Sequence, residues 1–176
     1  MMSGLYSILQ ETGARVKLKN GGVKMDNIKR KLDEALRRAE DRAFANVIGP
    51  VIVVGGTLEK GPVCVMFKGP AGSGKTSIIR EWAREHSEEI NFVELDVPKL
   101  SVQYVEDMPV VFSTDEIERM DRPDTVLFLD SYQHMKPEVE KELNWLYDEK
   151  KVADITLPEG ERVLDGLILV VGAITT

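Results

Sequence analysis

The sequence contains one cysteine, no excess of basic charge and no long apolar run, and each of these shortages limits what the protein can do. Its 176 residues include 23 Lys and Arg against 30 Asp and Glu, which gives a formal net charge of -7. Nucleic-acid binding usually leaves a basic patch, so we expect no nucleic-acid partner. Cys64 lies in the apolar run 63–67, where we expect a buried, inert thiol without a redox role.

The lack of long apolar runs bears on location. No segment approaches the roughly 18 apolar residues of a membrane-spanning helix, and the N-terminus lacks the apolar stretch of a secretory signal. We therefore expect a cytoplasmic chain with no membrane partner. The hydrophobic share of 43% and the charged share of 30% are typical of a globular protein. A chain of this length buries roughly 70% of its unfolded surface, which suits a single core.

The hydrophobic pattern alternates between helical and strand-like segments. Residues 27–47 repeat apolar side chains at three- and four-residue spacing, which predicts an amphipathic helix with a solvated charged face. Short β-branched or apolar runs at 51–54 and 63–67 predict strands, and residues 77–86 again have helical spacing. We divide the chain into an N-terminal segment with its helix, residues 1–46, and a core, residues 47–176.

The second half of the chain continues this alternation. Strands are predicted at 90–95, 125–130 and 167–173, and an extended stretch with a break at Pro109 is predicted at 102–112. The turn at 158–160 predicts a β-hairpin. A capping box at 113–116 begins one short helix, and Pro137 begins another with Glu138, Glu140, Lys141 and Glu142 facing solvent. Apolar strands that alternate with helices predict an α/β fold, a doubly wound parallel sheet with helices on both faces.

The loop between the strand at 63–67 and the helix at 77–86 matches the phosphate-binding pattern G-x-x-x-x-G-K-[ST]. Small residues let successive backbone N–H groups converge on phosphate oxygens, and the start of the helix adds its positive end. We expect Lys75 to reach the β- and γ-phosphates of ATP, and Thr76 to ligate Mg²⁺. The predicted nucleotide-binding residues are Gly69, Pro70, Ala71, Gly72, Ser73, Gly74, Lys75, Thr76 and Ser77.

Asp130 is the second predicted metal ligand. It ends the apolar strand 125–130, and ligands of open α/β sheets bind at the carboxyl ends of the strands. A carboxylate at this place suits Mg²⁺, bound directly or through water. The alternative is an ordinary aspartate that caps the following turn.

These residues resemble the AAA+ ATPases, and among them the MoxR-like branch, which is related to dynein-type modules. The resemblance covers about residues 47–176 and rests on the loop 69–76, the strand that ends in Asp130, the helix opened by Pro137 and the hairpin 155–160, which looks like that branch's pre-sensor insertion. In the family, a polar residue at the end of the last strand senses the γ-phosphate. The resemblance therefore implies this role for Thr175, with Thr176 as the neighbouring alternative.

The resemblance also implies an activity and partners. Proteins of this family hydrolyse ATP and couple the hydrolysis to remodelling of another protein or complex, so we expect self-association, for example as a hexamer, in the full-length protein. The residues of this chain do not identify the protein client.

The chain departs from the family after Asp130. The family has a glutamate there that polarises the attacking water, whereas this chain has Ser131, and Gln133 and His134 stand where the family often has Asn-Arg. Serine can orient a water molecule but cannot act as a carboxylate base, and general-base assistance is typically worth about 10²–10⁴-fold in rate. We therefore expect slow hydrolysis unless another carboxylate substitutes.

A second departure concerns the parts that follow the sensor strand in the family: an arginine finger, a fifth strand and a helical lid. We expect an incomplete core that lacks the C-terminal helical lid, and an arginine finger can be worth about 10³–10⁵-fold in rate. In the family, the fifth strand pairs with the strand that precedes the phosphate-binding loop, here residues 63–67. Its absence predicts that residues 63–67 form an apolar edge, which a dimer or a segment such as 51–54 would cover.

Two other functions remain open on the sequence. The first is a non-hydrolysing interaction module in which ATP is a switch or a structural ligand, which the serine at 131 favours. The second is a small-molecule or nucleotide kinase, which would need an acceptor pocket and a basic lid. The stretch after residue 157 supplies only Arg162 for such a lid.

Overall fold

The computed structural model describes residues 15–17, 25–47, 62–143, 155–157, 160–162 and 166–176. The strands of the main sheet are β1 (Arg15–Lys17), β2 (Val63–Gly69), β3 (Asn91–Asp96), β6 (Thr125–Asp130) and β9 (Leu167–Thr175). They run parallel in the order β1-β2-β9-β6-β3. The helices are α1 (Met25–Val47), α2 (Lys75–Glu85), α3 (Thr114–Met120) and α4 (Pro137–Leu143). The predicted parallel α/β sheet is thus confirmed.

Two small antiparallel hairpins accompany the sheet. Strands β4 (Gln103–Val105) and β5 (Met108–Val110) pair across a two-residue turn in which Glu106 and Asp107 both have positive φ, the geometry that suits a tight hairpin. Strands β7 (Ile155–Leu157) and β8 (Gly160–Arg162) form the hairpin that the turn at 158–160 predicts. The predicted capping box is also present, because the Ser113 hydroxyl and the Glu116 carboxylate accept from each other's backbone N–H.

Apolar side chains fill both faces of the sheet. On one face α1 and α2 pack on the strands through residues that include Ile28, Leu32, Ile79, Trp82 and Phe128. On the other face the buried residues of α3 and α4 pack on β3, β6 and β9. Helices therefore lie on both faces, as the alternating pattern predicts. Within the described parts of the chain, no helix has both the length and the apolarity to cross a membrane.

Polar contacts hold α1 against α2. The Trp82 indole N–H donates to the Asp33 carboxylate at 2.9 Å, and the same carboxylate lies 3.2 Å from Nε2 of His86. Lys29 lies 2.6 Å from the carboxylate of Glu85, which raises the pKa of Lys29. The charged face of α1 is thus partly engaged with the neighbouring helix and is not only a solvated surface.

The predicted open edge at residues 63–67 is not present. β1 pairs in parallel with β2, with Arg15 opposite Met66 and Lys17 opposite Lys68, so β2 lies inside the sheet. The covering strand comes from a segment whose sequence predicts no element, because three residues are too few to show a period. The segment 51–54, which we expected to cover this edge, lies outside the described residues.

The prediction that Glu140 faces solvent is wrong. Only 3% of this residue is exposed, and its charge lies close enough to Tyr132 to add to the rise in the tyrosine's pKa, which burial chiefly causes. Val139 and Leu143 of α4 share a core cluster with Tyr132 and Met135 of the turn after β6. Tertiary packing thus buries a position that the helical period places outside. Cys64 is buried as predicted, and burial raises the pKa of its thiol to about 12, which keeps it protonated and inert.

Candidate functional site

The loop 70–74 connects the buried strand β2 to helix α2, and two glycines set its shape. Gly72 and Gly74 have φ of 77° and 83°, a left-handed conformation that costs other L-residues roughly 1–2 kcal/mol. A side chain at Gly72 would meet no atom within 4 Å, and one at Gly74 would only touch Ile78 at 3.6 Å. The loop therefore needs these glycines for their backbone conformation and not because space is short.

The N-terminus of α2 faces this loop without a side-chain cap. Gly74 precedes the helix and accepts a hydrogen bond from Ile78 N–H at 2.9 Å, but it has no side chain that could cap the first turn. The first turn, which contains the exposed Ser77, also carries no acidic residue. Uncapped N–H groups and the positive end of the helix favour an anion at this point.

Lys75 is folded back onto the loop. Only 6% of the residue is exposed, and its Nζ donates to the carbonyl oxygens of Gly69 and Pro70, both at 3.0 Å, and to the Ser73 hydroxyl at 3.3 Å. Burial lowers the pKa of this lysine, and the charge of Asp130 opposes that shift. The ammonium group thus donates only to neutral acceptors within the loop. Phosphate oxygens are charged acceptors, so they could take the place of these carbonyl and hydroxyl oxygens and form stronger hydrogen bonds with Lys75.

Thr76 and Asp130 meet across the sheet edge. The Thr76 hydroxyl donates to Oδ1 of Asp130 at 3.0 Å, and the backbone N–H of Ser131 donates to the same oxygen at 2.9 Å. A hydroxyl and a carboxylate are the hard oxygen ligands that Mg²⁺ prefers, and this ion usually keeps waters and phosphate oxygens as its other ligands. The described residues contain no cluster of three or more His, Cys, Asp or Glu that could hold a metal without such help. The pair fits a magnesium ion that arrives with a phosphate.

The end of β9 lies beside the loop. Thr175 pairs with Gly69 in the register of β9 and β2, and the N–H of Thr176 donates to the Gly69 carbonyl at 3.0 Å. The N–H of Thr175 points the other way and donates to the side-chain oxygen of Gln133 at 3.0 Å. Both threonines that the sequence offers as sensors are thus adjacent to the first residue of the phosphate loop.

Two residues at this edge were not predicted as site residues. Gln133 appears in the sequence only as a departure from the family, and its contact with β9 spans 42 positions. Asp96 ends β3 in register with Asp130, and its carboxylate lies 3.7 Å from the ammonium of Lys99. The strand-end position of Asp96 is visible in the sequence, whereas its alignment with Asp130 depends on the pairing of β3 with β6.

Comparison with known proteins adds a family to this geometry. A protein-family model described as an AAA domain matches residues 62–159, and no curated protein matches the chain. The Thermotoga maritima RuvB Holliday junction branch migration motor has 23% identity and a TM-score of 0.44 over 85% of this chain and 38% of its own. A closed-state cryo-EM reconstruction of Hsp104 with ATPγS and FITC casein has 16% identity and a TM-score of 0.48 over 97% and 27%. This chain thus spans less than half of either protein.

Proposed function

Because the chain belongs to the AAA domain family, whose model covers more than half of it, we propose that it is the ATP- and Mg²⁺-binding core of a MoxR-like AAA+ ATPase. The contact between Thr76 and Asp130 carries the proposal. This contact places a hydroxyl of the phosphate loop next to a carboxylate at the end of a strand. A loop that bound phosphate without a metal ion would not need this carboxylate. The nucleotide site lies in the core, residues 47–176, and the N-terminal segment, residues 1–46, supports it through α1.

The residues of the site have separate tasks. The loop glycines and the N-terminus of α2 present N–H groups to the phosphates, and Lys75 leaves its carbonyl partners to donate to phosphate oxygens. Thr76 and Asp130 would hold Mg²⁺, which neutralises phosphate charge when bound. Thr175, beside Gly69, would contact the γ-phosphate, with Thr176 as the alternative.

The hairpin β7–β8 supports the assignment to the MoxR-like branch. The hairpin lies in the chain between α4 and β9, where that branch has its pre-sensor insertion. Its two strands are antiparallel, with Ile155 opposite Arg162. In the whole protein we propose self-association, a cytoplasmic location, and hydrolysis that remodels a protein client.

Ser131 favours a second candidate function, a nucleotide-dependent interaction module with negligible hydrolysis. Ser131 has φ of 59° and follows Asp130 directly, so the position of the family's glutamate is occupied by a short hydroxyl in a left-handed turn. A hydroxyl cannot take the proton of the attacking water as a carboxylate can, so binding without turnover follows from this residue.

Calorimetric titration with Mg·ATP and Mg·ADP, together with phosphate release, tests both candidates. Binding with measurable release supports the ATPase core, and binding with no release above background supports the interaction module. Absence of binding for both nucleotides would contradict both proposals. Sedimentation velocity with and without Mg·ATP tests self-association, and a monomer under both conditions would contradict it for this chain.

A further inference from the structure

Strand β9 extends beyond its neighbour β6. The pairing of the two strands ends with Leu129 opposite Gly172, whereas β9 continues to Thr175. On its other side β9 stays paired with β2 to the end, where Thr175 lies opposite Gly69. The last three residues of β9 are therefore paired with a strand on one side only, because the chain leaves the sheet after Asp130.

The Gln133 side chain fills the place that a further residue of β6 would take. Its Oε1 accepts from the N–H of Thr175 at 3.0 Å and so stands in for a strand carbonyl. The contact is partly buried, and an N–H that loses its partner away from water costs free energy, so the hydrogen bond favours one position of the strand end.

Gln133 itself lies in a hydrogen-bonded turn. The 3₁₀ turn Tyr132–His134 is closed by hydrogen bonds from His134 N–H to Ser131 O and from Met135 N–H to Tyr132 O, both at 3.0 Å. The Tyr132 ring, directly before Gln133, is fully buried in the core. The glutamine therefore transmits the position of the loop after β6 to the end of β9.

These contacts form one connected path through the proposed site. Thr76 contacts Asp130, the backbone of Ser131 contacts the same carboxylate, and Gln133, two residues further on, contacts Thr175. We propose that Gln133 is a positioning residue that fixes Thr175 at the γ-phosphate end of the site, so that the protein distinguishes ATP from ADP. This inference rests on the proposed function and adds to it the residue that sets the sensor.

Two substitutions separate this role from a merely structural one. Gln133→Met keeps the length of the side chain and removes the acceptor, and Gln133→Glu keeps an acceptor oxygen. In amide hydrogen exchange on the nucleotide-free protein, Thr175 N–H loses protection in Gln133→Met and keeps it in Gln133→Glu. If Gln133→Met does not fold, Gln133→Asn, which is one methylene too short to keep the contact, takes its place in the same experiment.

The functional readout is the ratio of Mg·ATP to Mg·ADP affinity, measured by calorimetry. We expect Gln133→Met to lower this ratio by about fivefold, the factor that corresponds to one hydrogen bond of about 1 kcal/mol, with Mg·ADP affinity within about twofold of wild type. In a Thr175→Val background, which already lacks the sensor hydroxyl, the same substitution should change the ratio by less than about twofold, since coupled residues are not additive.

Equal losses of ATP and ADP affinity, which leave the ratio unchanged, would overturn the positioning role. Full additivity with Thr175→Val would overturn it too, and both outcomes would leave the proposed nucleotide binding intact. Failure of the wild-type protein to bind either nucleotide would overturn the proposed function and this inference together, and it is recognised without any variant.

Discussion

Thr76 and Asp130 lie 54 positions apart in the chain, and the hydroxyl of the first donates to the carboxylate of the second at 3.0 Å. Thr76 is the second residue of α2, and Asp130 is the last residue of β6. Strand β9 lies between β2 and β6 in the sheet, so the contact spans the carboxyl edge above it. This edge is where open α/β sheets bind ligands, and the pair defines the metal end of the proposed site.

Asp130→Asn tests that pair, and Asp96→Asn is its matched control. Asn at 130 keeps an oxygen but removes the charge, so we expect Mg·ATP affinity to fall by about 10- to 100-fold, the range of a hydrogen bond or ion contact to a charged group. Asp96 ends the neighbouring strand but contacts Lys99, so its substitution should change affinity by less than about twofold. Calorimetry with and without Mg²⁺ measures both, and equal effects of the two substitutions would contradict the metal assignment.

Ser131→Glu tests why turnover should be slow. A glutamate at this position supplies the carboxylate that is proposed to polarise water, so we expect phosphate release to rise by at least about 100-fold, the lower end of the range for general-base assistance. Because the residue has positive φ, the substitution must adapt to a left-handed turn. Ser131→Gln has nearly the same shape without a base and serves as the control. Release that is no faster in Ser131→Glu than in Ser131→Gln would show that the missing carboxylate does not limit hydrolysis.

Gly74→Ala tests the conformation of the loop. Its positive φ predicts a loss of about 1–2 kcal/mol in the free energy of unfolding and weaker nucleotide binding, because the first turn of α2 would shift. Gly166→Ala is a contrasting case, since its Cβ would clash with the backbone carbonyl oxygen of Arg122. There we expect a larger loss of stability, with Mg·ATP affinity unchanged in the folded fraction. Urea unfolding and calorimetry separate the two, and unchanged affinity in Gly74→Ala would contradict the role of the loop.

Local patterns account for what the sequence could predict. The phosphate loop is eight contiguous residues, in which the glycines suit the backbone conformation and the lysine suits phosphate. Asp130 ends a strand in which the four preceding residues are all apolar. The parallel sheet, the capping box at Ser113 and the hairpin at 158–160 follow from periods and turn residues in the same way. Each of these signals lies within a window of a few residues.

The remaining features depend on contacts between distant parts of the chain. β1 is three residues long and becomes a strand only by pairing with β2. The contact between Gln133 and Thr175 exists because β6 ends before β9 does, which neither strand's sequence specifies. Glu140 is buried, although its helical position predicts exposure. The sequence alone does not predict these positions and contacts, because tertiary packing determines them.

Lys75 should make stability depend on alkaline pH. Burial lowers its pKa in the folded protein below the ordinary value of 10.5. Below the lowered pKa both states are protonated and the cost of burying the charge is fully present. Between the lowered pKa and 10.5 the folded state releases its proton first, so the contribution of Lys75 to stability rises with pH. The raised pKa values of Lys29, Cys64 and Tyr132 act in the opposite direction in both proteins. Urea unfolding across this range should therefore show the stability of the wild type rising relative to that of Lys75→Met, and the same slope in both proteins would contradict it.

Nucleotide binding by the loop 69–76 is tested by calorimetric titration of Mg·ATP into the wild type, Lys75→Ala and the control Lys99→Ala, whose lysine is exposed and lies outside the loop. We expect binding by the wild type and Lys99→Ala, and a loss of at least about tenfold in Lys75→Ala, because charged hydrogen bonds to phosphate are removed. Equal affinity in all three proteins, or no binding by the wild type, would contradict the assignment of the loop 69–76 as a nucleotide site.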